Sequence, residues 1–222
     1  MSLLPGWPPM HKYERCDQMS GRPTIAALVL AAGRSTRTGG SHKLLATFGG
    51  IPLIRRSVLA ASVSECDSVV VVTGHLDDEI RSVIGDIPAH VVHNSDFESG
   101  MATSIVVGLR EAIRLRAAGV MICLSDMPDL TSEHLDLIAT RFRQCDGKSI
   151  VRAVAGGKPG HPIIFPDSTY PELVKLAGDV GAREVVRRHW RSIVDVEIGP
   201  AARTDLDTLE SLRERGWLPA QG

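Results

Sequence analysis

From Thr24 onward, short β-branched runs alternate with longer amphipathic stretches, a rhythm that few folds accommodate. Ile25–Ala31 reads as a buried strand and Ser68–Thr73 (Ser-Val-Val-Val-Val-Thr) as a second. Continuous apolar runs of this length suit strands covered on both faces. Ala89–Val92 and Val120–Leu124 read as a third and a fourth. Between them, apolar residues recur at helical spacing. They are Ile54, Val58 and Ala61 behind Pro52, a short helix at Asp77–Ile84, Ile105, Leu109 and Ile113 within 99–118, and Leu135, Ile138 and Phe142 within Thr131–Gln144. Strand and helix in this order predict an α/β fold built on a doubly wound, mostly parallel sheet, with ligands above the carboxyl ends of the strands.

After Gly147 the rhythm changes. Ser149–Val154 and His161–Phe165 read as strands joined by the glycine-rich turn 155–160. A helix at Ala182–His189, a strand at Ile193–Ile198 and a last helix through Arg213 follow. The expectation is an antiparallel elaboration of one domain spanning 24–222. Met1–Pro23 holds four prolines and three methionines without an apolar signal core, and reads as a disordered extension.

A chain of 222 residues can bury a full core, and its net charge of −1 offers no electrostatic grip on long nucleic acid. No apolar run approaches the length of a transmembrane helix. The four cysteines are scattered with no C-x-x-C pair. Cys66 and Cys123 sit in or beside apolar runs, so reduced core thiols and a cytoplasmic location are expected.

Against this neutral background one loop stands out. The first strand empties into Gly33-Arg-Ser-Thr-Arg37-Thr-Gly39-Gly40-Ser-His-Lys43, with three glycines and three permanent cations. Glycines let a backbone approach a polyphosphate closely, exposed N–H groups donate, and Arg34, Arg37 and Lys43 neutralise charge. The spacing matches neither G-x-G-x-x-G nor a Walker loop. Its length is roughly twice the usual two to six residues of such connections, which favours a functional loop over a merely basic connection.

Asp126 ends a buried strand and precedes Met127-Pro128, where a carboxylate faces the same crevice and suits Mg²⁺. The plainer role for an aspartate there is a turn or a helix cap, for which Asp129 is the better candidate. Asp205 and Asp207 flank Leu206. A second metal carboxylate and a cap for the last helix are both open readings. Gly178-Asp-Val-Gly-Ala-Arg183 is either a helix-start turn capped by Asp179 or a substrate contact. The eight histidines show no zinc-ligand spacing, although His75 and His161 are placed to line the crevice. No G-x-S-x-G elbow supplies an acyl-transfer nucleophile, and no flavin or nicotinamide fingerprint supports redox chemistry.

Leu30–Gly39 with Lys43 resembles the signature loop of the nucleotidyltransferase superfamily, and is most similar to that of molybdenum cofactor cytidylyltransferases and their guanylyltransferase relatives. Gly100-Met101-x-x-Ser104, Asp126-x-Pro128, Gly160-His161-Pro162, Gly178-Asp-x-Gly-Ala-Arg183 and Asp205-x-Asp207-Thr208 follow in the family's order, over about residues 25–215. The resemblance implies a Rossmann-like nucleotidyltransferase fold that transfers a nucleoside monophosphate from an NTP to molybdopterin, with release of pyrophosphate. A molybdoenzyme or its chaperone would take the product.

On the same resemblance, Lys43 and Arg37 hold the triphosphate and act with Asp126 in catalysis. Ala31, Ala32, Gly33, Arg34 and Ser35 line the nucleotide, and Gly74 with Ser104 lies near base or ribose. Asp126 and Asp207 bind Mg²⁺, and His161, Asp179 and Arg183 meet the acceptor. Thr38 and Leu209 depart from the family pattern. Met127 is the guanylyl form, whereas Ala32 is the cytidylyl form and narrows the base pocket toward a pyrimidine, so CTP is favoured. Guanylyl transfer from GTP, transfer to another phosphorylated small molecule, and a non-catalytic carrier of pterin cofactor or nucleotide are the competing readings.

Overall fold

The computed structural model describes residues 21–34, 43–178, 181–206 and 209–218. Strand β1 (Ile25–Ala31) lies within a seven-stranded sheet, and a two-residue hairpin, β2 (Thr47–Phe48) with β3 (Ile51–Pro52), stands apart from it. The other sheet strands are β4 (Ser68–Thr73), β5 (His90–His93), β6 (Gly119–Leu124), β7 (Ile150–Ala155), β8 (Lys158–Pro166) and β9 (Ile193–Glu197), in the spatial order β5-β4-β1-β6-β8-β7-β9. From β5 to β6 every pairing is parallel. β8 runs antiparallel to both β6 and β7, and β9 returns parallel to β7. The expected antiparallel elaboration is therefore built into the main sheet.

Alternate residues of β1 point to opposite faces, as the two-residue period of a strand requires. Ile25, Ala27 and Val29 join the core under α1 (Leu53–Val63), α2 (Asp77–Ile84) and α4 (Ser132–Gln144), through Val58, Ile80 and Phe142. Ala26 and Leu28 join the opposite core under α3 (Met101–Arg114), α5 (Tyr170–Leu173) and α6 (Arg183–Arg188), through Leu109, Leu173 and Val185. A last helix, α7 (Leu209–Glu214), follows. The sheet is thus covered on both faces, which is why its central strands read as unbroken apolar runs.

Several boundaries differ from expectation. The helix expected over 99–118 ends at Arg114, because Arg116 adopts a left-handed φ of 58° and Ala117 N donates back to Ala112 O. Thr131, not Asp129, caps α4 in a reciprocal box with His134. Asp129 instead accepts from Arg215 at 2.7 Å. The turn between β7 and β8 shrinks to Gly156-Gly157, whose φ values of 55° and 71° suit glycine in a two-residue hairpin loop. Helix α5 carried no sequence expectation; Tyr170 anchors it by donating to Ala117 O at 3.0 Å. Arg22 pairs with Asp67 at 3.0 Å, so packing begins before Thr24.

Cys66, Cys123 and Cys145 are free thiols. Among the described residues no helix is long and apolar enough to cross a membrane.

Candidate active site

Because β1, β4 and β6 run parallel, the loops that leave their carboxyl ends crowd one rim of the sheet. β1 delivers Ala31 and Ala32, both buried, followed by exposed Gly33 and Arg34. Ser35 and Arg37 lie outside the described residues. The chain re-enters with a short 3₁₀ turn, Lys43–Leu45, whose Leu44 is buried in the core. That anchor sets the position of Lys43 beside it.

β6 delivers Asp126, and its backbone is held from three sides. The Ser125 hydroxyl donates to Leu30 O of β1, Ser57 of α1 donates to Ser125 O at 3.1 Å, and Leu206 N donates to Asp126 O at 3.0 Å. Lys43 Nζ donates to Asp126 Oδ2 at 2.6 Å, with side-chain exposures of 15% and 20%. The two residues singled out for triphosphate and metal therefore meet on one side of the sheet. The Leu206 bond also brings the 205–206 segment against Asp126, while Asp207 lies outside the described residues.

Asp126 Oδ1 is buried and has no hydrogen-bond partner among the described residues. A buried carboxylate oxygen without a donor is costly, and it is the kind of atom that a hard divalent cation satisfies. Among the described residues no three His, Cys, Asp or Glu side chains form a metal cluster. The unpartnered Asp126 oxygen is a donor that fits Mg²⁺ or Mn²⁺ carried with a triphosphate.

Beyond β4 the rim is apolar and tight. A methyl group on Gly74 would lie 2.8 Å from Phe97 and 2.9 Å from the Ala32 side chain, and His75 N donates to Ala32 O at 3.3 Å. Gly74, Ala32 and Phe97 thus form a narrow wall beside Gly33. Arg34 pairs with Glu98 at 2.7 Å in an exposed contact. Ser104 is buried, and its hydroxyl accepts from the Asn94 amide at 3.0 Å. Asn94 also donates to Thr73 O through its backbone and to Thr103 through its side chain. Ser104 therefore ties the start of α3 to the end of β4. Asn94, Phe97 and Glu98 were missed by sequence reasoning. The Asn-Ser-Asp run at 94–96 was the available sign of a turn, and Asn94 Oδ1 does accept from Asp96 N.

The antiparallel β8 places Gly160 and His161 near the end of β6, where a cavity of about 410 Å³ opens. Its wall is mainly apolar, with Met101, Ile105, Leu124 and Phe165, and His161 and Arg183 also line it. Burial holds the His161 imidazole below the usual histidine range, opposed by the Asp126 charge. Gly160 is obligatory by contact, since a methyl group there would stand 2.1 Å from Ala202 O. Asp179 lies outside the described residues.

A family model for the MobA-like NTP transferase domain matches residues 27–193. The chain belongs to that family and is a nucleotidyltransferase. It is 25% identical over 203 residues to nicotine blue oxidoreductase of Paenarthrobacter nicotinovorans, covering 86% of this chain and 95% of that one. It is 31% identical over 175 residues to the purine catabolism protein PucB of Bacillus subtilis (strain 168), covering 74% and 82%. In fold it is similar to Rv0371c of Mycobacterium tuberculosis H37Rv in complex with manganese, with a TM-score of 0.70, 23% identity, and 86% and 97% of the two chains covered.

Proposed function

We propose that the chain transfers CMP from CTP to molybdopterin or the molybdenum cofactor, releases pyrophosphate, and uses Mg²⁺. The observation that carries this reading is the Lys43–Asp126 contact of 2.6 Å at the joint ends of β1 and β6. A cation and a carboxylate are there adjacent, beside an apolar cavity that ends in His161 and Arg183.

In the proposed reaction an acceptor phosphate oxygen bonds to the α-phosphorus of the nucleotide, and the bond from that phosphorus to the bridging oxygen of pyrophosphate breaks. Two anions must be brought together, so positioning and charge neutralisation supply most of the rate. Lys43, with Arg37, stabilises the charge that grows on the leaving pyrophosphate. Asp126, with Asp207, would hold Mg²⁺, which when bound supplies Lewis-acid polarisation of phosphate oxygens. The narrow wall of Ala32, Gly74 and Phe97 favours a pyrimidine. His161, Asp179 and Arg183 would face the acceptor, with Arg152 also at the cavity wall. No protein nucleophile is required.

Pyrophosphate release measured with CTP, GTP, ATP and UTP, each with molybdopterin, tests the reading. CTP is expected to be the best donor. Release with GTP alone would assign guanylyl transfer, release only with a different phosphorylated acceptor would reassign the second substrate, and nucleotide binding without release would make the chain a carrier.

A further inference from the structure

The carboxylate that would take the metal is already engaged by the lysine that would take the phosphates. Lys43 Nζ lies 2.6 Å from Asp126 Oδ2, both side chains are largely buried, and the other oxygen, Oδ1, is buried without a partner among the described residues. A divalent cation arriving alone must settle against a carboxylate whose charge is cancelled and beside an ammonium that repels it. In a site of low effective dielectric that repulsion is strong. A triphosphate changes the balance, because its oxygens offer Lys43 a better partner and bring counter-charge for the metal.

From this we infer that Lys43 is a latch on the metal ligand. It keeps Asp126 from binding a divalent cation until a nucleotide triphosphate draws the ammonium away, so that metal and nucleotide enter as one unit. The inference rests on the metal reading of Asp126 given above and adds an order to it. Linkage then demands that the triphosphate raise metal affinity by the same factor by which metal raises triphosphate affinity.

The opposing prediction is unusual, since removing the lysine should improve metal binding. Mn²⁺ titrations of the full chain followed by electron paramagnetic resonance, without nucleotide at pH 8, are expected to show at least about tenfold tighter binding in Lys43→Met than in wild type, corresponding to about 1.4 kcal/mol. Lys43→Gln, which retains an N–H donor, should fall in between, and Arg114→Met, a charge removal at the far end of α3, should match wild type. Asp126→Asn in the Lys43→Met background should erase the gain. A merely structural lysine gives the reverse, because damage weakens a metal site.

Equal or weaker Mn²⁺ binding in folded Lys43→Met and Lys43→Gln overturns the latch, and a gain shared by Arg114→Met does the same by reducing the effect to net charge. Failure of the underlying reading is separable. If Asp126→Asn in an otherwise unchanged chain leaves Mn²⁺ binding in the presence of CTP untouched, Asp126 is not the metal ligand and the latch falls with it. If Asp126→Asn abolishes that binding while Lys43→Met shows no gain, the latch alone fails.

Discussion

The two halves of the sheet divide the labour. From β5 to β6 the strands are parallel and their ends place charge at one rim: Arg34 and Lys43 behind β1, Asp126 behind β6, and the Ala32–Gly74–Phe97 wall between β1 and β4. From β8 to β9 the sheet brings Arg152, already paired with Asp195, to the cavity. It contributes shape, a mostly apolar cavity backed by β8 and roofed by α6. The halves meet where β8 runs antiparallel to β6, which brings Gly160 and His161 toward the loop that bears Asp126. A reversal of one strand in an otherwise parallel sheet thus sets a mostly apolar cavity wall beside the Lys43–Asp126 pair.

This division can be broken at either half. The largest effect is expected in the parallel half. Lys43→Ala should lower turnover by at least about two orders of magnitude, the range of a lost electrostatic donor, as read by steady-state pyrophosphate release. Gly160→Ala comes next. Its methyl group meets the Ala202 carbonyl at 2.1 Å, a backbone atom that cannot swing aside, so urea unfolding should show a loss of about 2 kcal/mol. That variant should raise the KM of the acceptor more than that of the nucleotide.

Gly74→Ala sharpens the contrast, because its obstacles at 2.8–2.9 Å are the side chains of Phe97 and Ala32. A cost of about 1 kcal/mol and a higher nucleotide KM are expected, with acceptor KM little changed. If Gly74→Ala and Gly160→Ala shift the same KM, the division of the two halves is wrong.

The smallest effect belongs to the staple between α5 and α6. His189 lies 2.7 Å from Glu172, and that contact with the nearby Arg188 holds the Glu172 carboxyl below the usual glutamate range. A depressed carboxylate pKa stabilises the fold above its unfolded value, and the benefit fades as pH falls through the folded value. Glu172→Gln should therefore cost less than about 1 kcal/mol near neutral pH. Thermal melts across an acid series should show the difference closing, and a difference that grows on acidification would contradict the assignment.

Legibility in the sequence followed the same line. Ser68–Thr73 and Asp77–Ile84 were readable to the residue, because strands buried on both faces and a short amphipathic helix each leave one unmistakable period. Asp126 stood out in the sequence because a charge ending an apolar run has few structural reasons to be there, and the structure sets it 2.6 Å from Lys43. Harder to read was what depends on partners distant in sequence. That β8 pairs with β6 as well as with β7 is decided by the sheet, not by any local signal. Asp129 looked like a helix cap because its partner, Arg215, lies 86 residues away. Glu98, the partner of Arg34 64 residues on, carried no motif at all.

In the proposed reaction Asp126 works at the reacting phosphates and does not merely pair with Lys43. Pyrophosphate release by Asp126→Asn, compared with wild type under saturating nucleotide and with folding checked by circular dichroism, measures this most directly. A folded variant at about one hundredth of wild-type turnover or less is the expected result. A folded variant that releases pyrophosphate at close to the wild-type rate would contradict it.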